Sequence, residues 1–229
     1  MKRRLFCCAL AAMFAGCAAS PVHYHTLMPS KPLVERSPRP PADFALNVMP
    51  VTVPPSLDQA FLAIRRGTTE IAFLDDERWA SPLASEIRAA LSAALSAGLQ
   101  TEDVAGLAPG SAERIATVKI EIRRLDVWPG NRVELQAAWQ VTFSDREQSA
   151  LTCVTELQQP TRATDYAGIV QDQQAVILQL ADVIEAKVLA LEQVVRGKSG
   201  GERSVKLNAG LSPEIPEPAP SGGYRRSCP

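Results

Sequence analysis

Apolar and polar positions divide the chain into a regular middle and two irregular ends. Val133, Leu135, Ala137, Trp139, Val141 and Phe143 fall on alternate positions with Glu134, Gln136, Gln140 and Thr142 between them, the two-residue period of a strand with one buried face. Upstream, Val118, Ile120 and Ile122 alternate with Lys119, Glu121 and Arg123, and the apolar parity then shifts to Leu125 and Val127. One extra residue, a bulge at Arg123-Arg124, accounts for the shift. Trp128-Pro129-Gly130-Asn131 reads as the turn joining these two strands. After a loop at 144–149, Leu151, Cys153, Thr155 and Leu157 share one face of a third strand. Three strands linked by short connections make an antiparallel meander with one apolar side.

The flanking segments predict the rest of the fold. Phe44, Leu46 and Val48, then Val51 and Val53, alternate around Pro50, which marks a sheet edge or a bulge. Phe61–Arg65 and 70–73 flank Gly67-Thr68 as a hairpin. Ser81-Pro82 supplies an N-cap and a proline at the first helical position, and Leu83, Ile87, Leu91, Leu95 and Leu99 recur every four residues. A second, longer helix follows a cap at Thr164, with a stripe running from Ile169 and Val170 through Val176, Ile177, Leu180, Ile184 and Val188 to Val195. The expected architecture is α+β: a mostly antiparallel sheet covered on one face by two amphipathic helices, the other face polar and open.

The proline-rich stretch 17–41 reads as a tether, with room for a short strand near Val22–Leu27. The Pro/Gly-rich stretch 197–229 reads as a disordered tail, which leaves 42–196 as the folded domain. The first residues differ from both: Lys2, Arg3 and Arg4 precede ten apolar residues, Leu5–Phe14, the layout of a secretory signal peptide over 1–16. Its end, Phe14-Ala15-Gly16-Cys17, resembles the bacterial lipobox. That resemblance implies diacylglycerol and an N-acyl chain on Cys17, a covalent membrane anchor worth ~0.8 kcal/mol per buried CH₂. Ala18, where an Asp would favour retention in the inner membrane, points by the same resemblance to the outer membrane.

Charge and chemistry narrow the function classes. Twenty-four Lys and Arg against 25 Asp and Glu give a formal charge of −1, and losing Lys2, Arg3 and Arg4 with the signal segment takes it to about −4. No basic excess favours nucleic acid. Only two histidines occur, His23 and His25, which an extended segment would place on one face. With no carboxylate or cysteine near them in sequence they read as incidental surface residues and not as a metal site. Asp75-Asp76-Glu77 reads as a solvated turn before the first helix. Neither a hydrolase triad nor a phosphate or dinucleotide loop is present, so no enzymatic activity and no cofactor beyond the lipid on Cys17 is expected. Cys153 reads as a small buried apolar residue and Cys228 as a tail residue. The two could pair in an oxidising compartment, but a free tail rarely holds the geometry.

Several stretches together resemble the PqiC-like (YmbA) family of ABC-type transport auxiliary lipoproteins, subunits of paraquat-inducible systems of the mammalian-cell-entry (MCE) class. Tyr24-His25-Thr26-Leu27 is similar to the family's opening motif, Val51-Thr52-Val53-Pro54-Pro55-Ser56-Leu57-Asp58 to its Val-x-Val-Pro-x-x-Leu-Asp segment, and Arg65 to an arginine closing the next strand. Glu77-Arg78-Trp79-Ala80-Ser81-Pro82-Leu83 resembles the family's approach to the first helix, the most specific of these matches. The resemblance implies a periplasm-facing, outer-membrane lipoprotein that docks a PqiB-like MCE tunnel protein beside an integral inner-membrane PqiA-like protein, supports envelope integrity and forms a homo-oligomeric ring. Rival readings are an assembly factor or activator of another envelope complex, and a periplasmic lipid carrier. In the approach motif, Trp79 can anchor the helix against the sheet and Arg78 can pair with Asp75 or Asp76. As interface candidates Arg78 and Trp79 rank behind Trp128, which sits at a turn tip and whose strand neighbours already fill the core.

Overall fold

The computed structural model describes residues 21–30, 40–107, 114–145, 150–200 and 224–228, with the side chains of 195–200 and 224–227 outside the description. Among these residues lie eight strands and two helices: β1 (His23–His25), β2 (Ala45–Val48), β3 (Phe61–Arg65), β4 (Ile71–Trp79), α1 (Leu83–Leu99), β5 (Ile115–Trp128), β6 (Arg132–Phe143), β7 (Leu151–Pro160), α2 (Tyr166–Gly200) and β8 (Tyr224–Ser227). The class is α+β, as expected.

The meander forms as the alternation demands. β5, β6 and β7 pair antiparallel, and the register slips between Ile122 and Arg124, where the parity shift puts a bulge. Val133, Leu135, Ala137, Trp139, Val141 and Phe143 are all buried against the helices. Trp139 also donates its indole N–H to Thr155 Oγ1 at 2.9 Å, so its one polar atom is satisfied inside the core. Leu83, Ile87, Leu91, Leu95 and Leu99 of α1 and Ile169, Val176, Ile177, Leu180, Ile184 and Val188 of α2 complete that core. Each such side chain contributes roughly 1.5–3 kcal/mol of burial. The polar face of the meander carries Lys119, Glu121, Gln136, Gln140, Thr152 and Glu156 and stays open.

Several details depart from the sequence pattern. The strands form two sheets, not one: a five-stranded sheet in the order β2-β5-β6-β7-β8 and a three-stranded sheet in the order β1-β4-β3. Two pairings, β1 with β4 and β2 with β5, are parallel. β4 runs on through Asp75-Asp76-Glu77, so those acids belong to a strand and not to a turn. The N-cap of α1 is Pro82, with no side-chain cap, because Ser81 Oγ donates instead to Glu86. Asp165, and not Thr164, accepts the Gly168 N–H at the start of α2.

The ends differ most. Residues 23–25 form β1 inside the short strand read near Val22–Leu27, but this part of the expected tether is built into the body, with Leu27 1% exposed in the core. Tyr224–Ser227 form β8 against β7 within the stretch read as disordered tail, and Cys153 is joined to Cys228 by a disulfide. The register places residue 228 opposite residue 153 across the antiparallel pair, which brings their Cα atoms to 4.5 Å. Strand pairing supplies the geometry that a free tail would lack.

Candidate functional site

Two clusters gather the polar residues of the motifs, and the first surrounds β1. Its parallel register sets His23 beside Glu77 and His25 beside Trp79. Alternation puts both imidazoles on the side of Glu77: His23 Nδ1 lies 3.0 Å from Oε1 and His25 Nε2 2.5 Å from Oε2. The Ala80 N–H continues the pairing to the His25 carbonyl at 2.8 Å. Just beyond, Glu86 on the first turn of α1 accepts from Thr26 Oγ1 at 2.7 Å, the Leu27 N–H at 2.9 Å and Ser81 Oγ at 2.7 Å. From α2, Gln174 donates to the carbonyl of Thr26 at 3.0 Å. Residues 23–28 are therefore clasped by two buried carboxylates and an amide from three different elements.

Glu77 is 7% exposed and Glu86 5%. Burial works to raise the pKa of Glu77, but hydrogen bonds from His25 and His23 and the charge those rings can carry outweigh it and hold the group below its ordinary value. Burial likewise opposes ionisation of Glu86, and the hydrogen bonds from Thr26, Ser81 and the Leu27 N–H again prevail. Both groups are carboxylates at neutral pH.

The second cluster is the β5–β6 hairpin tip. Gly130, with φ of 68°, makes the turn that a side chain would strain, and its N–H bonds the Ala163 carbonyl at 2.7 Å, which ties the tip to the loop before α2. Trp128 is half-buried between two guanidinium groups, Arg132 at 4.2 Å and Arg65 at 5.9 Å from the ring centre. Arg65 grips Asp126 through both oxygens, at 2.8 and 3.2 Å, Arg132 bonds Glu134 at 2.5 Å, and Arg124 lies between Asp126 and Glu134 at 3.5 and 3.6 Å. Beside this network Arg124, Glu134, Gln136, Glu156 and Gln158 line a polar cleft of about 450 Å³ on the open sheet face.

The candidate residues separate accordingly. Strand alternation splits the approach motif: Trp79 is 5% exposed and belongs to the core, so it offers no contact surface, while Arg78 faces outward over the Phe61 ring at 5.0 Å. Arg78 donates to the main-chain carbonyl of Asp75 at 3.2 Å and not to either expected carboxylate. Trp128 is partly exposed. Cys17 lies outside the described residues. His23 and His25 are not incidental surface groups, since their nonlocal partner is Glu77. Sequence reasoning missed Glu77, Glu86, Asp126 and Arg132. For Glu77 the signal was the two-residue spacing of the histidines, which named a face without naming what lies opposite, and for Arg132 it was the turn at 128–131, which sets it across from Trp128. No group of three His, Cys, Asp or Glu side chains among the described residues is disposed to hold a metal ion. No described helix is long and apolar enough to cross a membrane.

Comparison with known proteins bears on this geometry. The family model for the ABC-type transport auxiliary lipoprotein component matches residues 25–185, from within β1 into α2. No curated protein matches the sequence. Two crystal structures share the fold. One, of an uncharacterised protein, superposes with a TM-score of 0.60 at 19% identity, over 73% of this chain and 99% of that one. The other, a Xanthomonas campestris protein of family DUF330, gives 0.58 at 15% identity, over 77% and 99%.

Proposed function

The chain belongs to the family of ABC-type transport auxiliary lipoprotein components, the PqiC-like lipoproteins, and from that premise we propose that it serves an MCE-class intermembrane lipid transport system as the docking subunit at the outer membrane. The family description is that of a transport component and not of a catalyst. In this reading Cys17 carries diacylglycerol and an N-acyl chain, the body faces the periplasm, and it receives the outer end of a PqiB-like tunnel whose inner end meets a PqiA-like membrane protein. A homo-oligomeric ring would match a symmetric tunnel.

The Trp128 tip carries the proposal. It is an aromatic side chain flanked by arginines, held at a fixed turn and partly exposed, the composition that dominates binding hot spots. Arg132 and Arg65 keep the ring oriented before any partner arrives, which lowers the ordering cost of contact. Crosslinking mass spectrometry in intact envelopes should join the tip to an MCE-domain protein. Trp128→Ala should leave the protein folded at a cost of about 1–2 kcal/mol, from the two guanidinium contacts it removes, and weaken capture of the tunnel protein about tenfold. Unchanged capture by a folded variant would remove the tip from the interface.

A further inference from the structure

We infer that the outer face of the β1-β4-β3 sheet lies against the bilayer to which the chain is anchored, so that the body is held on the membrane and does not hang from it. The inference rests on the lipidated Cys17 of the proposed function. Its independent support is the clasp: Glu77, Glu86 and Gln174 fix residues 23–28 to the body, so the first fixed residue after Cys17 is His23, six positions on, and not a residue of β2. Six residues span at most about 20 Å. The edge strand of the small sheet is therefore the part of the fold nearest the acyl chains.

What that sheet turns outward suits a lipid surface. Leu62 and Ile64 of β3 point into the core, which puts Phe61 and Ala63 on the other face. The registers align Tyr24, Arg78 and Phe61 in one row across the three strands and set Phe73 beside Ala63. Tyr24 is 66% exposed, Phe73 45% and Val22 39%, an unusual concentration of large apolar side chains beside the anchor. Tyrosine and arginine are amphipathic, with an apolar body and a polar tip, and match the headgroup layer. Asp75 and Asp76, exposed on the same strand, offset Arg78, so the face fits zwitterionic phospholipid and not a strongly anionic surface.

The test uses the full lipidated protein in vesicles of phosphatidylethanolamine and phosphatidylcholine with brominated acyl chains. Tyr24→Trp introduces an indole at an exposed position, and Leu107→Trp introduces one at a site 69% exposed in the loop after α1, next to β2. Relative to the parent protein, the indole from Tyr24→Trp should lose about half its emission to the bromines, while that from Leu107→Trp keeps its emission. No quenching at the first position, or equal quenching at both, overturns the inference. A mature mass without acyl chains overturns it too, but by removing the anchor, whereas acylated protein with an unquenched indole leaves the anchor standing and rejects only the orientation.

Discussion

β1 and β8 are both edge strands of three or four residues, one near each end of the described chain, yet they are held by different physics. β1 is fastened by side chains: two buried carboxylates collect donors from His23, His25, Thr26 and Leu27, and Leu27 itself enters the core. β8 is fastened by main-chain pairing with β7 and by the Cys153–Cys228 bond. A strand of four residues cannot persist alone on hydrogen bonds that water would equally satisfy. The contrast teaches that a terminal segment can be joined to a domain through charge or through a covalent link, and that each joint answers to a different solution variable.

The covalent joint should show the larger effect. A disulfide closing a separation of 75 residues typically contributes about 2–4 kcal/mol by restricting the unfolded chain. Cys228→Ser should lower the unfolding free energy by that order. It should also release β8 as a unit, seen as faster amide exchange over 154–157, with exchange over 23–28 unchanged. If 154–157 stay protected in the variant, pairing alone holds β8 and the comparison with β1 fails.

The same contrast explains what the sequence made legible. The meander and both helices could be read because their signal is periodic and local: Val133 to Phe143 and Leu83 to Leu99 repeat their own pattern without reference to any distant residue. The bulge at Arg123-Arg124 could be read because it breaks such a pattern. β8 is too short to have a period, and the short strand read near Val22–Leu27 carried no sign of its partner, because what stabilises each is nonlocal. Glu77 lies 54 residues from His23 and 52 from His25, and Cys228 lies 75 from Cys153. The acidic triplet misled for a related reason. Asp75 and Asp76 are solvated, as consecutive acids usually are, while Glu77 alone is buried, because β1 arrives to supply its donors. At the hairpin tip Trp128 was legible from its turn, which also sets Arg132 across from it, but Arg65 joins Asp126 and the Trp128 ring only when β3 is set beside β5. The split of Arg78 from Trp79 needed nothing more than knowing that β4 extends that far.

The charged joint should answer to acid. A carboxyl whose pKa is lowered by folding binds fewer protons folded than unfolded. The stability contributed by Glu77 and Glu86 is therefore complete above their ordinary value of 4.5 and is lost as pH falls through the lower folded values. Acid should thus loosen residues 23–28, read as a fall in amide protection relative to the intrinsic exchange rate at each pH, while a thiol reductant at neutral pH loosens only β8. Glu86→Ala isolates half of this effect. It leaves the buried Leu27 N–H without an acceptor along with the hydroxyls of Thr26 and Ser81, a cost of about 1–3 kcal/mol at neutral pH. The variant's deficit should shrink as pH falls from 4.5 through the lowered folded value, where the wild-type carboxyl itself takes up a proton. A deficit that stays constant with pH would mean that Glu86 acts through packing and not through its charge.

The smallest effects lie within β1, where two residues make the same bond in different surroundings. His25 has a side chain 16% exposed and sits on Glu77 with Trp79 as its register neighbour, whereas the His23 side chain is 59% exposed. A hydrogen bond to a buried carboxylate gains from the low local dielectric, and one that water can replace does not. His25→Ala should therefore cost about 1–2 kcal/mol and raise the Glu77 pKa toward its ordinary value. His23→Ala should cost under about 0.5 kcal/mol, because water can take its place at Oε1. Chemical denaturation of the two variants, with the Glu77 carboxyl titrated by NMR, separates them. Equal costs would show that the clasp depends on having β1 extended along β4 and not on the burial of either ring, and the parallel backbone pairing would then replace the carboxylate as the main joint at this end of the molecule.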